Sequence, residues 1–248
     1  MEFELVIPCY NEAASLAAML SRTVQAAQST GYDATRFQLI MVENGSADNS
    51  REVLKVLQDG PLAAWFHVVQ IEKNQGYGYG IHQGLAASHA PYIGWTHADE
   101  QCDPKDAFDA LRVLRQSAHP ERTLVKGRRG KRRLPDFLLS RFMEAAVLLL
   151  LGRWISEINA QPKVFARALL DEMRDPPPHF GFDLYALLSA RRAGWRIMTI
   201  PVTFAPRAHG TSSWAFSLRN RVKTSWRMLA YIWSLGVVSR VIHSRNGG

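Results

Sequence analysis

Residues 3–28 have the sequence FELVIPCYNEAASLAAMLSRTVQAAQ. The apolar stretch Phe3–Ile7 predicts a buried strand that ends at the proline after it. Leu16, Leu20 and Val24 then recur every fourth residue, which is typical of the buried face of a helix. We therefore expect this segment to form one strand, a short polar loop and one helix.

The same order of strand and helix continues along the chain. Four more apolar stretches predict strands, at 37–42, 66–71, 92–96 and 123–126, with helical patterns between them. Ser46 is expected to cap the second helix. The second half is less regular. It predicts helices at 138–154, 182–193 and 214–238, a loop with a returning strand at 156–165, and a strand at 197–204. Strands that alternate with helices predict an α/β fold with a mainly parallel sheet, whose ligands bind at the carboxyl ends of the strands.

Composition limits the classes of protein to consider. The chain has 248 residues, of which 47% are hydrophobic and 21% charged, as in an ordinary globular domain with a full core. Its two cysteines provide neither a disulfide framework nor a zinc site, so a reduced, cytoplasmic location is expected. The net charge is +8, and six basic residues fall between Lys126 and Arg133. A phosphorylated substrate or an anionic membrane surface would suit this charge, whereas no nucleic-acid-binding motif accompanies it.

Membrane insertion is not predicted. Acidic residues stand at the amino terminus where a signal peptide would be basic, and no apolar run reaches 18 residues. Two shorter segments, 145–151 and 228–239, are uncharged but too short to span about 30 Å of hydrocarbon. Each segment is either a buried helix or a helix in the membrane interface. If they lie in the interface, Trp226, Tyr231 and Trp233 would be at headgroup level.

Four loops that follow predicted strands collect the polar, acidic and glycine residues: Pro8–Glu12, Glu43–Ser46, Asn74–Gly78 and His97–Gln101. In a parallel sheet these loops share one edge. In the fourth loop, polar side chains alternate at His97, Asp99 and Gln101, as would suit a hard divalent cation. An ordinary polar turn is the alternative for that loop. The glycine-rich loop is not G-x-G-x-x-G, so a dinucleotide is not favoured.

Taken together, these loops resemble those of the family 2 glycosyltransferases of the GT-A fold, most closely the dolichyl-phosphate mannose synthase-like branch. The resemblance covers about residues 3–215. It rests on VIPCYNE at 6–12, VENGSAD at 42–48, NQGYG at 74–78 and ADEQ at 98–101, and it continues in KGR at 126–128 and PVTF at 201–204, with Arg207 and Gly210.

The resemblance implies a Rossmann-like, mainly parallel sheet flanked by helices, with acceptor-side helices towards the C-terminus. The GT-A domain would span 1–215, with a nucleotide-sugar half at 1–125 and an acceptor half at 126–215. Residues 216–248 would then form an amphipathic helix, a candidate for the membrane interface, and a tail.

The resemblance also implies a binding site for a UDP- or GDP-sugar. The residues that it assigns to the nucleotide sugar are Pro8, Tyr10, Asn11, Glu12, Glu43, Asn44, Gly45, Asn74, Gly76, Ala98 and Arg207. A carboxylate at Glu43 can accept a hydrogen bond from a base N–H or a ribose hydroxyl. Alternatively, Glu43 is a charge that favours the start of the following helix.

A divalent cation, Mg²⁺ or Mn²⁺, is implied as cofactor. The family's metal motif is Asp-x-Asp, often with Gln two residues later. Asp99 and Gln101 match the second Asp and the Gln, but His97 replaces the first Asp. Because Mn²⁺ tolerates imidazole better than Mg²⁺ does, His97 either ligates a softer cation, contacts the diphosphate as a donor, or does neither.

The catalytic candidates are Asp99, Arg128, Arg141 and Glu157. The branch has a phosphate-holding segment where this chain has Lys126-Gly127-Arg128, and Arg141 matches another phosphate-binding arginine. For these arginines a surface charge is the alternative. Glu157 would be a general base for a hydroxyl acceptor and an orienting group for a phosphate acceptor.

The function expected from these residues is inverting, metal-dependent transfer of a sugar to a polyprenyl (dolichyl or undecaprenyl) phosphate. A phosphate monoester has a second pKa of about 6 and attacks without a base. The protein is expected at the cytoplasmic membrane face as a peripheral protein. Two alternatives stay open: transfer to a hydroxyl of a glycan or small molecule, and a non-catalytic nucleotide-binding or scaffold protein.

Overall fold

The structure is a computed structural model that describes residues 1–98, 101–130, 134–203 and 223–235, with only the backbone at Pro135 and Asp136. Asp99 and Arg207, both assigned to the site from the sequence, lie outside these residues. So does the first part of the helix predicted at 214–238, whose residues 223–235 are helical.

Within the described residues, seven strands form one sheet. They are β1 (Phe3–Cys9), β2 (Phe37–Asn44), β3 (Phe66–Ile71), β4 (Tyr92–Trp95), β5 (Thr123–Arg129), β6 (Lys163–Ala166) and β7 (Arg196–Val202). Their order across the sheet is β3-β2-β1-β4-β6-β5-β7, and β6 runs antiparallel to both of its neighbours. The predicted α/β class and mainly parallel sheet are confirmed.

The helices are α1 (Leu16–Ser29), α2 (Ser50–Gln58), α3 (Tyr77–Ala86), α4 (Lys105–Arg115), α5 (Leu134–Leu151) and α6 (Phe182–Arg192). The prediction that Ser46 caps α2 is wrong. That helix begins at Ser50 after Asn49, because the Ser46 hydroxyl accepts a hydrogen bond from the Asn11 N–H in the neighbouring loop. Helix α5 begins four residues before its predicted start and ends before Gly152, which has a φ of +65°.

Two compact units make up the chain: 1–130 with 160–210, and 131–159 with 211–248. In the first unit, one face of the sheet packs against α1 and α4 around the rings of Phe3, Phe37 and Phe108, whose centroids lie 4.9–5.8 Å apart. Both faces of β1 are buried, as expected for a parallel sheet covered on two sides. The domain boundaries predicted at 125 and 215 stay predictions.

No helix among the described residues combines the length and the apolar character needed to cross a bilayer.

Candidate active site

The loops after β1 and β2 are tied together at the carboxyl edge of the sheet, meaning the edge where β1–β4 end. Asn11 is central to this contact: its N–H donates to the Ser46 hydroxyl (3.1 Å) and its Oδ1 accepts from the Ala47 N–H (2.8 Å). Asn11 has a φ of +56°, a conformation that asparagine tolerates better than most residues. The predicted nucleotide-binding residue Asn11 therefore has a defined structural role in joining two loops.

A second contact between these loops is made by Asp48. Its Oδ2 accepts from the Ala13 N–H (3.1 Å), and its Oδ1 accepts from the Ser50 N–H and hydroxyl (3.0 and 2.6 Å). Burial opposes ionisation of Asp48, but these hydrogen bonds outweigh it and lower the pKa of the carboxyl. The ionised Asp48 thus holds the β1 loop against the start of α2.

Glu43 lies at the end of β2 with its side chain almost completely buried. One carboxylate oxygen accepts from the Ser46 N–H (2.6 Å), and the other forms an ion pair with Arg51 (3.0 Å). The sequence left two alternatives for Glu43, a hydrogen-bond acceptor for the nucleotide sugar or a charge that favours the start of the following helix. In the structure its carboxylate shapes the β2 loop and orients Arg51, a residue that sequence reasoning missed.

The loop after β3 joins the same cluster. The Asn74 Oδ1 accepts from the Gly76 N–H (2.7 Å), and the Asn44 amide donates to the Gly76 carbonyl (3.1 Å). Gly45 has a φ of +66°, and a Cβ there would lie 2.4 Å from the Asn74 backbone nitrogen. Asn44, Gly45, Asn74 and Gly76, all predicted from the sequence, therefore form one contact between the second and third loops.

We expect Gly45→Ala to lower the free energy of unfolding by about 2–4 kcal/mol, since it combines a strained φ with an overlap against backbone. Gly31→Ala is the matched control: its φ is +83°, but a Cβ there has nothing within 4 Å. It should cost only about 1 kcal/mol. Urea unfolding of both variants measures the difference, and equal losses would contradict the close contact between the loops.

The loop after β4 contacts the start of α3. The Tyr77 hydroxyl lies 3.4 Å from the His97 Nε2, and the two rings are 5.7 Å apart between centroids. On its other side, the Tyr77 ring stacks on Phe180 at 4.9 Å. Ala98 is buried and Gln101 is half-buried. The prediction that the four loops share one edge is confirmed by the contacts between them.

A buried ion pair lies beside this fourth loop. Lys163, at the start of β6, is fully buried and pairs with Asp183 in the first turn of α6. Burial lowers the pKa of Lys163, and the charge of Asp183 opposes this shift. The Gln161 amide also donates to Asp183 (2.9 Å), and the Lys163 Nζ lies 5.2 Å from the centre of the Trp95 ring.

The predicted phosphate-holding segment forms the end of β5. This strand runs in the same direction as β4, because both are antiparallel to β6, so it ends at the same edge. Arg128 is exposed there, whereas Lys126 is buried. Arg128 is therefore the one of these two cations whose charge faces solvent.

The second unit holds the other two catalytic candidates, Arg141 and Glu157. Arg141 forms an ion pair with Glu144 (2.8 Å), a buried acid one turn further along α5. The other Glu144 oxygen accepts from the Glu157 N–H (2.7 Å), and Glu157 itself is buried with a φ of +51°. Glu144 thus fixes both candidates, and sequence reasoning missed it.

Signals for the missed residues do exist in the sequence. Glu144 is an isolated acid in the apolar run of α5, three residues after an arginine. Lys163 is an isolated cation in the strand KVFA, and Asp183 is an isolated acid at the start of an apolar helix. A charged residue in a buried element has to be paired, so each of these positions pointed to a partner elsewhere.

Comparison with known proteins identifies the family. The model described as Glycosyl transferase family 2 matches residues 4–170. The chain belongs to this family. A family 2 member is a transferase enzyme, so the non-catalytic alternative from the sequence is not retained.

Relatives of this family 2 glycosyltransferase include a protein of Mycobacterium tuberculosis (strain ATCC 25618 / H37Rv) named an uncharacterized glycosyltransferase. It is 29% identical over 227 residues, with 88% of this chain and 92% of the relative aligned. The undecaprenyl-phosphate 4-deoxy-4-formamido-L-arabinose transferase of Proteus mirabilis (strain HI4320) is 27% identical, over 86% of this chain and 62% of that protein.

Among solved structures, glucosyl-3-phosphoglycerate synthase from Mycobacterium tuberculosis is similar to this glycosyltransferase, with a TM-score of 0.69 at 20% identity. The match covers 94% of this chain and 79% of the synthase, which was crystallised with Mn²⁺, UDP and glucosyl-3-phosphoglycerate. At this identity the likeness concerns the fold, and the expected GT-A fold is confirmed.

Proposed function

We propose that this glycosyltransferase transfers a sugar, with inversion, from a nucleotide sugar to a polyprenyl phosphate at the cytoplasmic membrane face. The main observation that supports a polyprenyl phosphate as acceptor is the exposed apolar surface of α5. Relatives named undecaprenyl-phosphate transferases support the same acceptor class.

The donor side of the proposal rests on the four joined loops. They place backbone N–H groups, glycines and the half-buried Tyr77 and His97 at the carboxyl edge of the sheet, where α/β folds bind ligands. Arg128 adds an exposed positive charge at this edge. Such an arrangement suits the negatively charged diphosphate of a UDP- or GDP-sugar.

The donor atoms near this edge fit a divalent cation. Gln101 supplies a carbonyl oxygen and Asp99 would supply a carboxylate, both hard ligands of the kind that Mg²⁺ and Mn²⁺ bind. In the described ranges, which leave out Asp99, no three His, Cys, Asp or Glu side chains gather in a group that could hold a metal. The site we propose therefore depends on Asp99. When bound, the cation would stabilise the charge that develops on the leaving diphosphate.

The acceptor side rests on the surface of α5. Leu134, Leu138, Phe142 and Leu149 recur at helical spacing, and their exposed fractions range from 56% to 79%. On the same element, Arg141 lies against the rings of Phe137 and Trp154, 5.2 and 5.9 Å from their centres. An apolar helix face with a guanidinium among aromatic rings suits a lipid chain that carries a phosphate.

The helical segment 223–235 supports a peripheral location at the membrane. Trp226 and Trp233 lie nearly two helical turns apart and are 67% and 60% exposed. Exposed tryptophans on a short helix are typical of an interfacial position. Together with the basic run that precedes α5 in the sequence, they favour an anionic membrane surface.

The mechanism we propose is a single displacement at the anomeric carbon. A dianionic phosphate attacks without a general base, so the protein's task is to orient the acceptor and offset its charge. Arg141, held by Glu144, would orient the acceptor phosphate, and Arg128 would offset charge on the leaving group. Glu157 would help to orient the phosphate acceptor.

The test is transfer of label from radiolabelled nucleotide sugars to undecaprenyl or dolichyl phosphate in the presence of Mn²⁺ or Mg²⁺. We expect label in the organic phase with at least one donor. Label that stays in the aqueous phase with every donor, while the protein still binds UDP, would overturn the lipid-phosphate acceptor.

A hydroxyl acceptor is the second candidate, and the similarity to a synthase crystallised with a glucosylated small molecule favours testing it. The Glu157→Gln variant separates the two. With a phosphate acceptor, which needs no base, kcat should fall less than about tenfold, whereas loss of a general base would cost about 10²–10⁴-fold. Circular dichroism of the variant controls for a change in fold, since Glu157 is buried.

A further inference from the structure

Arg51, the second residue of α2, pairs with a carboxylate that solvent barely reaches. Its Nε and Nη2 both donate to the same oxygen of Glu43, at 3.2 and 3.0 Å. The Glu43 side chain is 1% exposed, whereas the Arg51 side chain is 46% exposed. The buried acid therefore fixes one edge of the guanidinium and leaves the rest of the group open to solvent.

The free part of this guanidinium is a fork of two donors. A guanidinium carries five N–H groups in one plane. Glu43 takes the Nε–H and one Nη2–H, and Arg51 makes no other hydrogen bond in the part of the chain that the structure describes. The second Nη2–H and an Nη1–H remain side by side at the end of the group. Such a fork matches a ligand with two neighbouring acceptor atoms.

Sheet order puts this fork on the nucleoside side of the donor site, a placement that rests on the donor side of the proposed function. The proposed cation site follows β4 and Arg128 ends β5, so the diphosphate binds at that end of the carboxyl edge. Strand β2, which ends in Glu43 and Asn44, lies two strands from β4, a separation of about 10 Å. A nucleoside that continues from the diphosphate along this edge reaches the loops after β1 and β2.

The neighbouring β1 loop offers a ring on which a base can stack. Tyr10, the first residue after β1, is exposed, and the Glu12 N–H donates to the Ser50 hydroxyl beside Arg51 (3.1 Å). Aromatic rings stack on any nucleobase, so Tyr10 does not choose between bases. Glu43 is buried, and both of its oxygens already accept hydrogen bonds from the chain. The choice of base therefore depends on the free fork of Arg51.

We propose that Arg51 selects guanine over uracil as the base of the donor nucleotide, by donating to O6 and N7. Guanine presents these two acceptors next to each other on one edge, whereas uracil presents O4 beside a C–H. Adenine and cytosine place an amino donor on the corresponding edge, which would face the fork with N–H groups. Arg51 is then a specificity-determining residue, and a GDP-sugar is the donor.

Calorimetry with nucleoside diphosphates tests this choice, using the full chain and Mn²⁺. We expect GDP to bind about tenfold more tightly than UDP, the discrimination expected of one good bidentate contact. 7-Deaza-GDP lacks the N7 acceptor and should lose most of this advantage, whereas inosine diphosphate keeps O6 and N7 and should bind as GDP does. UDP or 7-deaza-GDP binding as tightly as GDP would overturn the proposal. Weak binding of inosine diphosphate would assign the preference to the 2-amino group and overturn it as well.

Arg51→Lys keeps the positive charge beside Glu43 and removes the fork. This variant should bind GDP, 7-deaza-GDP and UDP alike, with its UDP affinity within about threefold of the native value. Arg36→Lys is the matched control, because Arg36 pairs with Glu2 through the same two nitrogens but precedes β2, at the opposite edge of the sheet. It should keep the preference for GDP. Equal losses of GDP and UDP affinity in Arg51→Lys would indicate a general effect of charge and overturn the selection of the base.

The native measurements decide even if the Arg51 variant does not fold. Binding of neither GDP nor UDP by the native protein would refute the donor site, and with it the role of Arg51. A preference for GDP without transfer of label to a lipid phosphate would refute the proposed acceptor and leave the role of Arg51 standing.

Discussion

Asp183→Ala is expected to lower the free energy of unfolding by about 3–5 kcal/mol, because it leaves Lys163 charged, fully buried and without its partner. A buried ammonium cannot recover this loss from solvent, and its contact with the Trp95 ring offsets only part of it. Urea unfolding followed by circular dichroism measures the change.

Two controls give this prediction its meaning. Asp109→Ala removes an exposed ion pair with Arg112 and should cost less than about 1 kcal/mol. The double variant Lys163→Met/Asp183→Leu replaces both charges with apolar side chains and should recover most of the stability lost in Asp183→Ala. A loss under about 1 kcal/mol in Asp183→Ala would contradict the buried, paired state of Lys163.

Asp99→Asn is expected to lower kcat/KM about 10³-fold, since it removes the carboxylate that we propose as the main metal ligand. The change keeps the size of the side chain and removes its charge. Glu100→Gln is the matched control, because it removes the same charge from the next residue, which the resemblance does not assign to the metal. It should retain activity within about threefold, as expected for a substitution that removes no ligand.

A binding measurement separates metal loss from other causes. In the presence of UDP, Asp99→Asn should weaken Mn²⁺ binding at least about tenfold, while Glu100→Gln should leave it nearly unchanged. Equal Mn²⁺ affinity in the native protein and Asp99→Asn would remove Asp99 from the metal site. Equal losses in both variants would point to the general negative charge of the loop and not to coordination.

The regular elements of the first unit were predictable because their signals are local. β3 has the bounds 66–71 that its apolar run predicts, and β1 and β2 extend two residues past their predicted ends, into the residues that begin the loops. Ser46 shows where a local signal fails. Its hydroxyl suits a helix cap, but a backbone N–H from a loop 35 residues earlier in the chain takes it instead.

The site was predictable as a set of loops and not as a set of contacts. That four polar loops meet at one edge follows from the direction of the parallel strands. That Glu43 pairs with Arg51, and that Arg141 pairs with Glu144, depends on which side chains packing leaves within reach. The sequence shows the charges, but partner choice among many arginines is not a local property.

The sequence by itself determined the α/β class, the parallel direction of the sheet and the four loops that gather at its carboxyl edge, since each depends on periodicity or strand order. Only the tertiary structure decided what surrounds His97. Its contact with Tyr77 and the link through Gln161 to Asp183 and Lys163 join residues up to 84 positions apart. Such contacts depend on burial and side-chain packing, which a one-dimensional pattern does not contain.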